Sequence, residues 1–525
     1  MHPGRRSCCR PGLPGCCGIA RAATSGAAAP STANCGGATR SACRIRWSRS
    51  CIEGIKVANH TDSAATLRSA RPAAPPGKPI PEISGGWPLL GHLPEFQRNP
   101  VAMLDRCRRE HGELVRFRLG TREFVLFTGP EAHDCYFRAP EDQLDARAVY
   151  QFTVPIFGRG VAYDVAPEIM AEQLGFLYPA LRDAPMRRYA EIMYDEAGRF
   201  ADALGEEGVL DLPAAMNRLT VNIASRCLLG QEVRDQVDSG FAQAYHDLEE
   251  GINLIGFFLP RLPIPAHRRR DRARRRIAGI LVRIMEGRRG SGAAPEDFMQ
   301  ALMQARYRDG RTLSDDEVTG ILLTVLFAGQ HTSAVLASWM GLEMFRDPAC
   351  VARIRAEMRE IYGETGAMSL AGLKRQTALE WTVRECERLH PPLILLIRKV
   401  LNPLQYAGYT VPAGALAVVS PAVSHRLPGL FADPQRFDPE RFAPPRSENK
   451  QHLYTLIGFG GGKHRCMGEK FAMLQLKAIW TVLLDRFDFD PVADFPAPNY
   501  GSWVTGPMVP CRVRYRRRAQ ASVFS

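Results

Sequence analysis

The stretch Phe459-Gly460-Gly461-Gly462-Lys463-His464-Arg465-Cys466-Met467-Gly468 sets one cysteine on a glycine-rich loop directly before an apolar, helix-forming segment. Glycine admits turns closed to other residues and lets a backbone pass close beneath a flat ligand. Neighbouring amides and the start of a helix are expected to favour a thiolate over a thiol. The loop therefore reads as the place where Cys466 is offered to a haem iron as a single axial ligand.

Outward from the loop, no rival metal chemistry is visible. Seven of the fourteen cysteines fall in the first 51 residues and the rest are scattered singly, so neither a zinc site nor a disulfide framework is indicated. The net charge of +13 is equally uneven: residues 1–79 carry twelve Lys/Arg against two Asp/Glu, which leaves +3 in residues 80–525. A basic body surface for nucleic acid is not expected. Residues 1–79 contain no apolar run long enough for a signal-peptide core or a membrane helix. They read as a disordered extension, either a transit peptide or an upstream segment from a misassigned start. Residues 80–525 read as a single domain, soluble and cytoplasmic, without a transmembrane anchor.

That domain is mainly α with small β-sheets. Apolar residues recur at helical spacing through Tyr189–Leu204, Leu212–Leu229, Phe241–Leu254, Ile277–Met285, Val318–Met344 and Ala349–Ile361. Leu114–Leu119 and Phe124–Phe127 alternate as a hairpin, and strand-like pieces return at Gln405–Val411 and Ala415–Ser420.

The pattern F-x-x-G-x-[HR]-x-C-x-G resembles the haem loop of the cytochrome P450 superfamily. Two further stretches match that resemblance in order. Glu385-Cys386-Glu387-Arg388 sets an acid and a base three apart on one helical face, and Phe437-Asp438-Pro439-Glu440-Arg441-Phe442 follows it. The resemblance implies a buried network of Glu385, Arg388 and Arg441 with a structural role. Upstream, Phe327-Ala328-Gly329-Gln330-His331-Thr332-Ser333 interrupts a long apolar helix with polar residues. Glycine there costs stability, and a threonine hydroxyl can divert a backbone bond and open a kink. In the superfamily such a defect makes room for dioxygen and water above the iron, with Thr332 holding the distal oxygen.

G-[QH]-H-T-S, joined to Tyr150-Gln151-Phe152-Thr153-Val154-Pro155-Ile156-Phe157-Gly158-Arg159-Gly160-Val161-Ala162-Tyr163-Asp164, resembles the sterol 14α-demethylase family, in its soluble bacterial form. Tyr245-His246-Asp247-Leu248-Glu249, Arg268-Arg269-Arg270-Asp271 and Leu389-His390-Pro391-Pro392-Leu393-Ile394 follow the same family. The resemblance implies haem b on the Cys466 thiolate, with Phe459 and Gly460 beside it and Tyr150, Tyr163, Arg398 and His464 as partners of its propionates. It implies a substrate cavity lined by Tyr150, Phe152, Phe157 and Leu181, by Ala328 and His331, and by Leu393, Ile394, Trp503 and Val504. A leucine at 181 suggests a C4-dimethyl sterol such as lanosterol.

The implied reaction is three successive oxidations of one methyl carbon, ending in loss of formate and a new ring double bond. His331, whose ordinary pKa suits proton relay near neutrality, would serve Thr332. Electrons would come from a ferredoxin or flavodoxin with its NAD(P)H reductase, because no flavin motif or iron–sulfur cysteine cluster follows the loop. Lys463, Lys470 and Lys477 are candidates for the docking face, and a monomer is expected. One stretch departs from the family: Glu172-Gln173-Leu174-Gly175 stands where a lysine usually reaches a haem propionate. Two other readings therefore stay open, a monooxygenase of the same fold acting on another terpenoid, fatty acid or secondary metabolite, and a non-catalytic haem or sterol binder.

Overall fold

The hairpin forms as β1 (Leu114–Leu119) and β2 (Arg122–Phe127), antiparallel, with Leu119 opposite Arg122. The computed structural model describes residues 78–519 and 522–524, apart from 238, 253, 293, 364 and 365. The extension read at 1–79 lies outside the described residues except for its last two. Lys78 is already tied into the fold, its amide donating to the Gly408 carbonyl at 2.9 Å.

β1 and β2 join β3 (Leu144–Asp145), β5 (Leu396–Val400) and β8 (Leu416–Val419) in a five-stranded sheet of order β1-β2-β8-β5-β3, with β2 and β8 parallel. Gln405–Val411 is not one strand but a hairpin, β6 (Leu404–Tyr406) and β7 (Tyr409–Val411). Its two turn residues, Ala407 and Gly408, take φ of 50° and 81°, the paired left-handed conformation that suits a two-residue hairpin. Alanine at the first position hides the turn from sequence. A third sheet, of β4 (Glu207–Asp211), β9 (Phe487–Pro491) and β10 (Arg512–Arg517) in the order β4-β10-β9, was also not anticipated.

Helices supply most of the core. The run Leu212–Leu229 is a helix to Ala224 that closes in a π turn at Ser225–Leu229. Phe241–Leu254 divides into Ser239–Glu250 and Leu254–Phe258. The central element is the 30-residue helix Asp315–Met344. Ser314 and Glu317 close a reciprocal capping box at its start, where three acids also meet the positive end of the helix dipole. Its residues are apolar around nearly the whole circumference, the pattern of a helix enclosed by protein. Among the described residues it alone is long and apolar enough to cross a membrane, and 61% of its most apolar window is buried against other elements. At Gly320 a β-carbon would stand 2.6 Å from the Phe157 carbonyl oxygen. That missing atom lets the segment 157–161 lie directly on the long helix.

Candidate active site

The cysteine loop is fixed by protein packing before any ligand is considered. The Cys466 amide donates to the Phe459 carbonyl and the Gly460 amide to that of Ile457, both at 2.8 Å. Gly460 and Gly462 take φ of 71° and 61°. A β-carbon on Gly461 would stand 2.6 Å from the Tyr454 ring and 2.9 Å from that of Phe137. Two of the three glycines thus answer to the helix Pro130–Arg138 and to Tyr454, rather than to clearance beneath a macrocycle.

Cys466 is the one exposed free cysteine among the described residues, two residues before Gly468, the N-cap of helix Glu469–Arg486. It is open to water, yet protein packed around the sulfur raises its pKa, with Glu469 and Glu387 adding to the rise. The Gly468 amide and Arg465 oppose that rise and do not overcome it. The Gly468 amide acts in the expected direction, towards the thiolate, and burial outweighs it. A bound cation is what deprotonates such a ligand. No group of three or more His, Cys, Asp or Glu among the described residues could hold a metal ion, so the donor chemistry fits a single-thiolate centre whose other ligands come from a macrocycle.

Behind the loop, Glu385, Arg388 and Arg441 form the anticipated network, fully buried. Arg388 grips both Glu385 oxygens at 2.7 and 2.8 Å and donates to the carbonyls of His425, Pro434 and Arg436. Arg441 bonds Glu385 at 3.0 Å and Glu448 at 2.7 Å. His425 then accepts from the Ile457 amide at 2.8 Å. Burial, then Arg388, holds its pKa far below the usual value, so its acceptor nitrogen stays unprotonated. The line Arg388–His425–Ile457–Gly460 carries the network into the cysteine loop. A second group, Arg384 with Glu387 and Glu469 and Glu469 with Arg465, ties the same helix to the loop's other end, and the Arg384 guanidinium lies 5.6 Å from the Phe459 ring centre.

The second anticipated part of the site is the middle of the long helix. Ala328 is exposed and Phe327, Gly329, His331 and Thr332 half-buried, although residues 317–323 and 333–344 on either side are buried. The helix is continuous from Asp315 to Met344, so the expected break at Gly329 is absent. Thr332 instead donates its hydroxyl to the Ala328 carbonyl at 2.7 Å. His331 Nδ1 stands 3.0 Å from Glu249 Oε1, close enough to pair but without hydrogen-bond alignment. Burial opposes ionisation of Glu249, and the His246 and His331 contacts outweigh it, holding its pKa below the usual range. Glu249 was not assigned as a site residue from sequence. Its signal was its place in the Tyr245–Glu249 stretch, but nothing in the sequence pairs it with His331.

The anticipated anion partners gather at one side. Tyr150 stacks on Tyr163 at 4.9 Å, and Arg398 on β5 is near enough to influence both phenols. Burial raises both Tyr pKa values, so both phenols stay protonated and can donate. His464 is paired with Glu141 at 2.7 Å, and the same carboxylate feels Arg398. Arg398 is thus common to both phenols and, through Glu141, to His464, and these are donor types that suit a carboxylate.

The substrate candidates separate into groups. Tyr150, Phe152 and Trp503 form one aromatic group, with Phe257 added, at 4.8 to 6.3 Å between rings. Phe157 meets Phe327 edge-on at 5.9 Å, and Phe327 in turn meets His331. The Thr505 amide donates to the Pro392 carbonyl, which brings the Trp503–Val504 turn beside Leu393, and Ser420 holds the Ile394 carbonyl. Leu181 sits half-buried on the turn Pro179–Leu181. Gln173 is committed elsewhere: its amide bridges the Ala162 amide, the Gly160 carbonyl and the Tyr307 hydroxyl. Lys477 is buried against Glu380 and the Leu373 carbonyl, which removes it from the docking face, while Lys463 and Lys470 are exposed.

Comparison with known proteins converges on the same chemistry. Residues 81–508 match the family Cytochrome P450. A sterol 14-demethylase of Arabidopsis thaliana is 38% identical over 84% of this chain and 92% of its own length. A sterol 14alpha-demethylase of Mycobacterium bovis is 37% identical, over 84% and 98%, and a lanosterol 14-alpha demethylase of Bos taurus 36%, over 86% and 90%. Among solved structures, retinoic acid bound cyanobacterial CYP120A1 superposes with a TM-score of 0.76 at 24% identity, covering 84% of this chain and 99% of its own, a likeness of fold. The chain belongs to the cytochrome P450 superfamily, and within it to the sterol 14-demethylase family of haem-thiolate monooxygenases.

Proposed function

We propose that this enzyme removes the 14α-methyl group of a lanosterol-like sterol in three successive oxidations. The observation that carries the reading is the open middle of an otherwise enclosed helix, where Ala328 faces free space with Thr332 and the His331–Glu249 pair beside it. Cys466 would hold the iron, with Arg398, Tyr150, Tyr163 and His464 receiving the carboxylates of the macrocycle. Haem on a thiolate supplies the oxidising power, by favouring O–O cleavage.

The chain's own residues do the rest. The aromatic group of Tyr150, Phe152 and Trp503 excludes water and packs a flat, apolar ligand. Thr332 spends its hydrogen on the Ala328 carbonyl, which leaves the oxygen lone pairs free to accept. Glu249 faces Nδ1 of His331 and favours a proton there, so Nε2 is the nitrogen that exchanges protons with the Thr332 side. Glu249 has a second histidine, the more exposed His246, within 3.9 Å, which gives protons a way in from solvent.

Electrons are proposed to come from a ferredoxin or flavodoxin with its reductase, at a face that includes Lys463 and Lys470, and the chain to act as a cytoplasmic monomer. Incubating the haem-loaded protein with lanosterol, such a carrier system and NADPH, then analysing sterols by mass spectrometry, tests the reading. A product lacking the 14α-methyl carbon supports it. The absence of a lysine at Glu172–Gly175, with Gln173 tied into structure, favours the second reading, oxidation of another polycyclic terpenoid. A hydroxylated terpenoid product with lanosterol untouched would select it.

A further inference from the structure

The helix Thr377–Leu389 carries two interleaved pairs of acid and base three residues apart, Glu385 with Arg388 and Arg384 with Glu387. The first pair fastens the segment behind the cysteine loop. The second is poorly placed for stability. Glu387 is 2% exposed and lies in the last turn of the helix, where the dipole disfavours an acid. Arg384 reaches it through a single nitrogen, at 3.1 Å. Burial pushes the Glu387 pKa up, and Arg384 opposes that rise. An apolar side chain of similar volume would cost the helix less.

What this carboxylate touches is the cysteine loop. A β-carbon on Gly458 would stand 2.5 Å from Glu387 Cγ and 2.7 Å from its Oε1. The acid therefore lies against the backbone that runs from Ile457 to Phe459, whose carbonyl accepts from the Cys466 amide. On its other side Arg384 continues to Glu469 at 2.7 Å, and Glu469 to Arg465 at 2.7 Å, so the line of charges ends on the residue before Cys466. Glu469 and then Glu387 disfavour a negative charge on the Cys466 sulfur, and Arg465 favours one. Glu469 has two guanidinium partners at the half-buried rim. Glu387 has one and is enclosed, where salt screens a charge least.

We propose that Glu387 sets the reduction potential of the iron held by Cys466, its buried charge making the centre harder to reduce. Reduction adds one electron from the external carrier to the ferric centre, and no bond forms or breaks. A fixed negative charge behind the loop opposes that electron for the same reason that it opposes charge on the sulfur. Glu387 touches neither the substrate nor the reacting atoms, so it is a positioning residue that acts through the cysteine. Its effect is to demand a carrier of lower potential and to strengthen the electron donation by which a thiolate favours O–O cleavage. The inference rests on Cys466 as the iron ligand and is independent of which sterol or terpenoid is oxidised.

Spectroelectrochemical titration of the full haem-loaded chain, without substrate, tests it. Glu387→Gln keeps the size of the side chain and the oxygen that Arg384 uses, and removes the charge. A unit charge acting over about 10 Å at an effective dielectric constant of about 20 changes an equilibrium roughly tenfold. Reduction of this variant should be more favourable by that factor, a positive shift of about 59 mV for one electron. Glu387→Asp keeps the charge and shortens the side chain, and its potential should stay close to that of the unsubstituted chain. An unmoved potential in Glu387→Gln would overturn the proposal. So would equal shifts in the two variants, since packing against Gly458 and not charge would then be responsible. Where neither variant retains haem, Glu469→Gln removes the other acid from the half-buried end of the group. A positive shift there supports the electrostatic account, and a negative or absent one overturns it. Failure to demethylate lanosterol leaves these potentials unaffected.

Discussion

The support of the cysteine loop and the middle of the long helix are built on opposite principles. On the cysteine side, Glu385, Arg388 and Arg441 are fully buried and their charges are matched by each other, by Glu448 and by backbone carbonyls. On the helix side, Ala328 is exposed, and the His331–Glu249 contact lacks hydrogen-bond alignment at both atoms. A saturated network has one arrangement and holds the loop to it. An incompletely satisfied one can exchange partners, which proton relay demands. The metal ligand is therefore expected to be immobile, and the proton-handling residues adjustable.

The largest effect should come from breaking the saturated side. Arg388→Leu strands the Glu385 carboxylate in the core, at a cost of about 3–5 kcal/mol. Thermal unfolding should show a variant that melts far earlier and retains little haem, and an unchanged melting curve would show that the network does not hold the loop. Thr332→Ala removes a half-exposed hydroxyl bonded only to its own helix, so stability should shift by no more than about 1 kcal/mol. Coupling should fall instead, with NADPH consumption diverted to hydrogen peroxide. A product-to-NADPH ratio equal to that of the unsubstituted enzyme would remove Thr332 from the mechanism.

Glu249→Gln should have the smallest effect on the fold and a selective one on pH dependence. The Glu249 pKa is held below its usual value in the folded chain, so its ionised form contributes stability above the ordinary carboxylate pKa. That contribution is lost as pH falls through the lowered value. The glutamine variant should therefore lose stability less steeply on acidification than the unsubstituted protein, and show a larger solvent isotope effect on turnover. If neither changes, Glu249 is a bystander to His331.

The contrast between the sides was half legible in the sequence. Cys466, the Glu385–Arg388 pair and the Phe327–Ser333 interruption each declare themselves within a few residues, because helical spacing and glycine runs are local signals. Glu249 does not, since its partner lies 82 positions away and only folding brings the two together. Glu448 was missed for the related reason that a surface-type residue in a proline-rich loop gives no sign of burial. The three-stranded sheet was hidden because β10 alternates arginine with Val513 and Tyr515, which reads as a charged tail until β4 and β9 are known to flank it. The hairpin at Ala407-Gly408 was hidden by a residue that rarely marks its turn. The loop glycines were found for an incomplete reason, since Gly461 and Gly462 answer first to Phe137 and Tyr454.

The central claim is that a rigid thiolate side and an adjustable helix side serve one sterol-oxidising site. Titrating the ferric protein with lanosterol and dihydrolanosterol while recording the Soret band tests it most directly. The account predicts a saturable shift of the band to shorter wavelength. An unmoved band, in protein whose ferrous carbonyl complex is normal, would contradict it.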